Sequence, residues 1–368
     1  MKICHVINSL SGGGAETHLL ELVHAQKDRG HTVTVIATGP DNKNIRSLEE
    51  EFTNISDKVL RLYFPRLFNF YSYIKFFKNL QEKQYDIVHT HQPRSDFMFF
   101  ILKSFTTIET TWIVSIHGKY DTYLEGNIFF DQIRKLFMPL LVQIWSSSNQ
   151  IICISQEVKK WLRTYKIKSN ISVVNYWIGK TRLENLERTK ECISIGFMGR
   201  VNKNKGIEDL LDVYEDLNKD RYNLFIAGSG KESYLEKLNE RYDLKNVNFL
   251  GYISNKEEFF SNIDIFVFPS HSEGLGLVLL ESMSYSKICI SRDVPPMNSI
   301  LDKNSGYLFH NNDELKSIIL DCGHLFKEDL LPLNKKLSSQ YNLLNEKYNK
   351  QVLFEKIESI YQLSLIHI

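Results

Sequence analysis

The chain has 368 residues, more than one hydrophobic core usually serves, so its length argues for two domains. At 43% hydrophobic, 24% charged and a net charge of +1, it is neither a disordered nor a fibrous chain, and no nucleic-acid partner is expected. The charge is uneven, with 21 basic against 16 acidic side chains in residues 1–178 and 24 against 28 in the rest, so an anionic surface is expected to face the first half.

The first predicted strand, KICHVI, runs into SLSGGGAE, where Gly12, Gly13 and Gly14 allow a tight turn ahead of a helix that starts near Ala15. N–H groups at that helix start suit an anion, although Thr17 breaks the G-x-G-x-x-G pattern and a plain strand-to-helix turn would look the same. The strand HTVTVIA follows, and then residues 58–78, KVLRLYFPRLFNFYSYIKFFK, with Lys58, Arg61, Arg66, Lys75, Lys78, eight aromatics and no acid. Such a segment suits the interface of an anionic membrane; a buried helix with snorkelling cations is the competing account. YDIVHTH, TWIVSIH and QIICIS continue the alternation of short apolar runs with amphipathic stretches, which is the rhythm of a parallel sheet wound with helices.

The polar segment GKTRLENLERTKE, residues 179–191, interrupts this rhythm, which restarts with CISIGFMG, YNLFIAG, VNFLG, IDIFVFP and KICIS. The expected fold is therefore α/β, with doubly wound Rossmann-like parallel-sheet domains at residues 1–180 and 190–340; helical spacing at Tyr348, Leu353, Ile357 and Tyr361 adds a C-terminal helix over 341–362, whose return to the first domain is an expectation that the spacing alone does not give. Residues 363–368, LSLIHI, back-translate to a sequencing adapter and are set aside as a suspected scar. Five scattered cysteines without a C-x-x-C pair, no signal-peptide stretch and no long apolar run predict a reduced, cytoplasmic protein. It would be peripheral on the inner face of the cell membrane if 58–78 lies on lipid.

In such domains ligands gather beyond the carboxyl ends of the strands. There the second half places Gly199, Arg200 and Lys205 in GRVNKNKG, Gly228 and Gly230 in IAGSG, Ile253 in FLGYIS, and HSEGLGLVLLES over residues 271–282. Arg200 and Lys205 can converge on one anion, and Gly274 and Gly276 free the amides of Leu275, Gly276 and Leu277 at a helix start. Glu273 and Glu281 suit neutral hydroxyls better than a phosphate. Two polyols flanking a diphosphate describe a nucleotide sugar.

These motifs, in this order, resemble the C-terminal half of glycosyltransferase family 4, the retaining GT-B transferases with an E-x7-E signature, which Glu273 and Glu281 fit. GGGAE resembles the family's N-terminal glycine loop and SIHG, ending at Gly118, its His-Gly strand end. The resemblance implies a GT-B fold with an inter-domain cleft, an acceptor-binding first domain and a nucleotide-sugar-binding second domain. It implies that Arg200 and Lys205 hold the diphosphate, Glu273 the sugar hydroxyls and Glu281 the ribose, with His117 near the donor sugar and acceptor. Catalytic candidates are thus Arg200, Lys205, Glu273 and His117; the named glycines, Ile253, Leu275, Leu277 and Glu281 are donor-binding candidates.

The expected reaction is retaining transfer of a hexose-type sugar to a saccharide or lipid-linked acceptor in surface polysaccharide synthesis. No cofactor and no metal are expected, because the chain has no D-x-D and cations and amides can meet the leaving phosphate. VPPMNSIL, with Pro295, Pro296 and Ser299, departs from the family's Gly-Gly-Glu run, and Leu275 stands where an aromatic is usual. A nucleotide-sugar epimerase of the same fold and a non-catalytic partner subunit are the alternatives.

Overall fold

The computed structural model describes residues 1–41, 45–62, 70–121, 128–179, 181–186 and 189–366. Met1–Tyr176, together with the chain from Gln351 onward, forms one unit, and Trp177–Lys350 forms a second.

In chain order the first unit contains β1 (Lys2–Ile7), α1 (Gly14–Asp28), β2 (Thr32–Ala37), α2 (Glu49–Ile55), β3 (Lys58–Arg61), α3 (Phe70–Lys83) and β4 (Ile87–His91). It continues with α4 (Pro93–Ser104), β5 (Thr111–Ile116), α5 (Ile128–Ser146), β6 (Gln150–Cys153), α6 (Gln156–Arg163) and β7 (Asn170–Val173). The strands form a parallel sheet in the order β3-β2-β1-β4-β5-β6-β7, whose order reverses between β1 and β4. Helices cover both faces of such a sheet, so its central strands must be apolar throughout, and all of β4 and β5 and five of the six residues of β1 are buried.

Histidines break that rule. His89 and His91, two apart on β4, share one face, and the register sets His5 of β1 directly beside His89.

The second unit contains β8 (Ile193–Met198), α7 (Ile207–Glu215), β9 (Tyr222–Ala227), α8 (Glu232–Arg241), β10 (Val247–Gly251), α9 (Lys256–Ser261) and β11 (Ile265–Phe268). It ends with α10 (Leu277–Ser284), β12 (Ile288–Arg292), α11 (Met297–Ile300), β13 (Tyr307–Phe309), α12 (Asn312–Glu328) and α13 (Leu331–Lys347). Its parallel sheet runs β10-β9-β8-β11-β12-β13, with the reversal between β8 and β11. Ile195, Phe197, Leu224, Ile226, Val267 and Ile290 are buried in its core.

The single helix expected over 341–362 is two. α13 stops at Lys347, and α14 (Lys350–Ile366), which belongs to the first unit from Gln351, begins after Asn349 and continues through residues 363–366. Tyr348, Leu353, Ile357 and Tyr361 are all buried, Tyr348 in the second unit and the other three on α14 in the first, so their spacing reflects burial in two units and not one face of one helix. Among the described residues no helix is long and apolar enough to cross a membrane.

Candidate functional site

At the reversal in the second unit, the loops after β8 and β11 are locked together. Asn202 caps a short 3-10 turn by accepting from the Lys205 N–H at 3.1 Å, and Gly206 follows at φ 67°. A Cβ on Gly206 would lie 2.1 Å from the Pro269 carbonyl oxygen, so only glycine lets this loop close against the β11 loop. The His271 N–H then donates to the Asn204 carbonyl at 2.9 Å. Lys205 Nζ donates to Glu273 Oε1, with both side chains nearly out of solvent. Arg200, in the same β8 loop, is exposed and has no ion-pair partner among the described residues.

The neighbouring glycines have a packing reason. A Cβ on Gly228 would fall 1.8 Å from the Gly199 carbonyl oxygen and one on Gly230 would fall 2.6 Å from that of Val201, so these two residues seat the β8 loop. Ile253 is half-buried after β10.

Gly276 starts α10 from φ 84° without a side-chain cap, following the buried Gly274 and Leu275; Leu277 is half-buried. An α10 N-terminus without a side-chain cap leaves amide donors and the positive end of the helix dipole available to an anion. Glu281 lies just over one turn into α10. Its Oε1 accepts from Lys256 Nζ at 2.6 Å, while the buried Oε2 has no partner among the described residues. Its carboxylate therefore retains acceptor capacity. Pro295 and Pro296 lead into α11, whose Met297 and Ile300 come within 3.8 and 3.9 Å of a Cβ built on Gly276; Ser299 is exposed.

Lys256 had no sequence signal, because its partner is 25 residues away on another helix. Nor had the group behind His271. The Asp209 carboxylate of α7 meets His271 Nε2 at 3.0 Å and Arg292 Nη2 at 2.6 Å, and Arg292 Nε donates to the Pro269 carbonyl at 2.9 Å. Burial pushes the Asp209 carboxyl up, but the His271 hydrogen bond and the Arg292 charge outweigh it and hold the group below the usual carboxylate range.

In the first unit the glycine loop differs from its expected anion-binding form. The Gly12 N–H donates to the Arg46 carbonyl at 2.8 Å and the Gly13 N–H to that of Ser11 at 2.7 Å. Gly14 begins α1, and the buried carboxylate of Glu16 covers its first turn, within 2.5 Å of a Cβ built on Gly13. Burial raises the pKa of Glu16, against hydrogen bonds from its own N–H, Gln92 and Ser9. Gln92, at φ 78° after β4, donates from Nε2 to Glu16 Oε1 at 3.0 Å, a backbone strain at the sheet reversal that sequence patterning could not register.

His117, half-buried after β5, joins a chain of imidazoles. Its Nδ1 meets the Tyr176 hydroxyl, its Nε2 meets His91 Nδ1 at 3.3 Å, His91 Nε2 meets His5 Nδ1 at 3.1 Å, and His5 Nε2 meets Gln26 Oε1 at 2.8 Å. His18 stacks on Tyr176 at 4.1 Å. Burial lowers the pKa of His5 and of His117 to about 4. The ligand atoms of His5, His89 and His91 lie within 4.8 Å of one another, a spacing that could hold a metal ion. All six ring nitrogens are nevertheless engaged with partners, those of His89 with Tyr361 and Ser115.

The basic aromatic segment divides. Arg61 is held by Asp41 and Glu49, each at 2.7 Å from Nη2, so its charge is satisfied internally and not offered to lipid. Arg66 lies outside the described residues. On α3, Tyr71, Ile74, Lys75 and Lys78 are exposed at helical spacing, whereas Ser72, Phe76, Asn79 and Leu80 are buried.

Residues 12–178 match the family model described as Glycosyltransferase Family 4, and residues 181–328 the model described as Glycosyl transferases group 1. The alpha-monoglucosyldiacylglycerol synthase of Streptococcus pneumoniae is 24% identical over 84% of this chain and 75% of its own length. The O-antigen biosynthesis glycosyltransferase WclY of Escherichia coli is 23% identical over 76% of this chain and 79% of its own. Among solved structures, Anabaena HepE in complex with UDP-glucose superposes with a TM-score of 0.81 at 16% identity, over 98% of this chain and 99% of that one.

Proposed function

We propose, on the premise that this chain belongs to the glycosyltransferases with a family 4 first half and a group 1 second half, that it moves a hexose-type sugar with retention from a nucleoside diphosphate sugar to a saccharide or lipid-linked saccharide of a surface polysaccharide. The observation that carries this reading is the pair of lysine–carboxylate contacts, Lys205–Glu273 and Lys256–Glu281, set beside the start of α10. Names of relatives in O-antigen and glycolipid synthesis support the acceptor class, and the UDP-glucose complex of HepE supports a UDP-sugar donor.

Arg200, Lys205 and the first amides of α10 stabilise charge on the departing diphosphate, where it grows most in the transition state. Glu273 accepts from sugar hydroxyls and Glu281 from the ribose, while His117 serves the reacting sugar and acceptor. The reaction needs no metal, since these fixed cations and dipoles meet the phosphate charge. The test is UDP release from a panel of UDP-sugars in EDTA. Metal-independent turnover of one donor supports the reading; no turnover until Mn²⁺ or Mg²⁺ is added overturns the leaving-group assignment.

The two glutamates separate by affinity for free UDP, which lacks the sugar. Glu281→Gln is expected to weaken UDP binding about tenfold, and Glu273→Gln to leave it nearly unchanged while lowering kcat. Calorimetric titration checks this, and the opposite pattern would show the roles exchanged.

A peripheral membrane contact through α3 is part of the same reading. The protein is expected to float with anionic liposomes and to be released by salt, and Lys75→Gln with Lys78→Gln to reduce flotation severalfold. Flotation that ignores both salt and these substitutions would remove α3 from the contact.

A further inference from the structure

The imidazole chain of the first unit has a direction. We propose that Gln26, His5 and His91 are positioning residues that fix the tautomer of His117, placing its proton on Nε2 and leaving the Nδ1 lone pair to accept from a hydroxyl.

The geometry leaves little freedom. Gln26 Nε2 points to the Tyr361 hydroxyl at 3.4 Å, so the other end of the amide, Oε1, is the atom 2.8 Å from His5 Nε2. An oxygen there requires the His5 proton on Nε2. A neutral imidazole has one N–H, so His5 Nδ1 must accept, and the proton between the rings belongs to His91 Nε2, 3.1 Å away. By the same rule His91 Nδ1 accepts from His117 Nε2 at 3.3 Å, and His117 Nδ1 accepts from the Tyr176 hydroxyl. Burial keeps all three rings neutral near pH 7, so the one-proton rule holds along the chain.

A second branch agrees. Having received from Gln26, the Tyr361 hydroxyl donates to His89 Nδ1 at 2.6 Å, and His89 Nε2 donates to Ser115 Oγ at 2.8 Å. Four imidazoles thus carry Nε2–H, all set by one buried amide. Reversing that amide would reverse every member, and His117 would present an N–H donor instead of a lone pair.

The consequence rests on the reading that His117 serves the reacting sugar and acceptor. A substrate hydroxyl that replaces Tyr176 would donate to His117, which favours a group whose oxygen is becoming the nucleophile.

The test is nitrogen NMR of histidine-labelled, full-length protein, with His117 identified by the signals lost in His117→Gln. The expected spectrum has His117 Nδ1 unprotonated and Nε2 protonated. Gln26→Met removes the acceptor, so a proton on His5 Nε2 would be buried unsatisfied; the expected result is a shift of His117 toward Nδ1–H and a fall in kcat of about tenfold with the donor KM unchanged. Gln26→Glu keeps an acceptor and is expected to retain the tautomer and kcat within about twofold. A His117 proton on Nδ1 in the unaltered protein overturns the proposal whether or not the variants fold, as does an unchanged His117 tautomer in Gln26→Met. Wild-type kcat in His117→Ala instead removes the functional reading beneath it, so the two failures are distinguishable.

Discussion

Lys205→Ala is expected to lower kcat by about 10²- to 10³-fold, the usual cost of losing one donor aimed at charge that develops in the transition state. A second effect arises from the pairing of Lys205 with Glu273, both nearly removed from solvent. Alanine leaves the carboxylate without its cation, so this variant is also expected to lose stability in the second unit, by about 1–3 kcal/mol. Arg200→Ala separates the two effects, because Arg200 is exposed and without an acidic partner among the described residues. It is expected to reduce kcat comparably and leave the melting temperature unchanged. Steady-state kinetics beside thermal melts of both variants checks this; wild-type turnover in either would sink the diphosphate assignment.

The alternation of apolar runs foretold both parallel sheets, because strands buried on both faces must be apolar along their whole length. Candidate residues were visible where backbone geometry restricts residue choice, as at Gly206 and Gly276, or where spacing sets one group before a helix start and one within the helix, as at Glu273 and Glu281. Partners brought in by folding were not visible. Lys256 for Glu281, Asp209 and Arg292 behind His271, and Asp41 and Glu49 around Arg61 are separated along the chain and meet only through strand order. Gly12 and Gly13 show the opposite failure: glycines in a turn signal free amides, yet here carbonyls of the same chain take them. The H-x-H of β4 was read only as part of a strand, because the register that brings His5 beside His89 depends on β1 and β4, 84 residues apart, becoming neighbours.

That histidine group leads to the second large effect: the first unit is expected to unfold in mild acid, well above the pH at which carboxylates are protonated. Burial lowers the pKa of His5 and His117 to about 4, and burial together with the His117 charge lowers that of His18 to about 3. Burial and the neighbouring imidazoles hold His89 and His91 well below the ordinary value of 6.5. In the unfolded chain all five titrate near pH 6.5. Above that pH both states carry neutral rings and nothing is lost. Below it the unfolded state binds protons that the folded state refuses, so stability falls as pH drops from about 6.5 toward 4. Each ring contributes roughly 1.4 kcal/mol per pH unit in that window. Asp96 runs the other way, since burial raises its pKa to about 7 despite hydrogen bonds from Thr90 and Trp145, and buried Glu16 is raised likewise. The folded state holds those two protons as pH falls, which opposes up to two of the five. A net slope of about three protons, or roughly 4 kcal/mol per pH unit, is then comparable to a domain's whole stability within two pH units. Trp112 and Trp145, fully buried in this unit, report its unfolding through intrinsic fluorescence. Melts at pH 7.5, 6.5 and 5.5 are expected to show little change over the first step and a drop of more than about 10 °C over the second. His91→Gln, which removes one of the five rings, should flatten the second step. A melting temperature independent of pH across this range would mean that the folded rings take up protons as readily as those of the unfolded chain, against the burial and the hydrogen bonds that pair them as neutral groups.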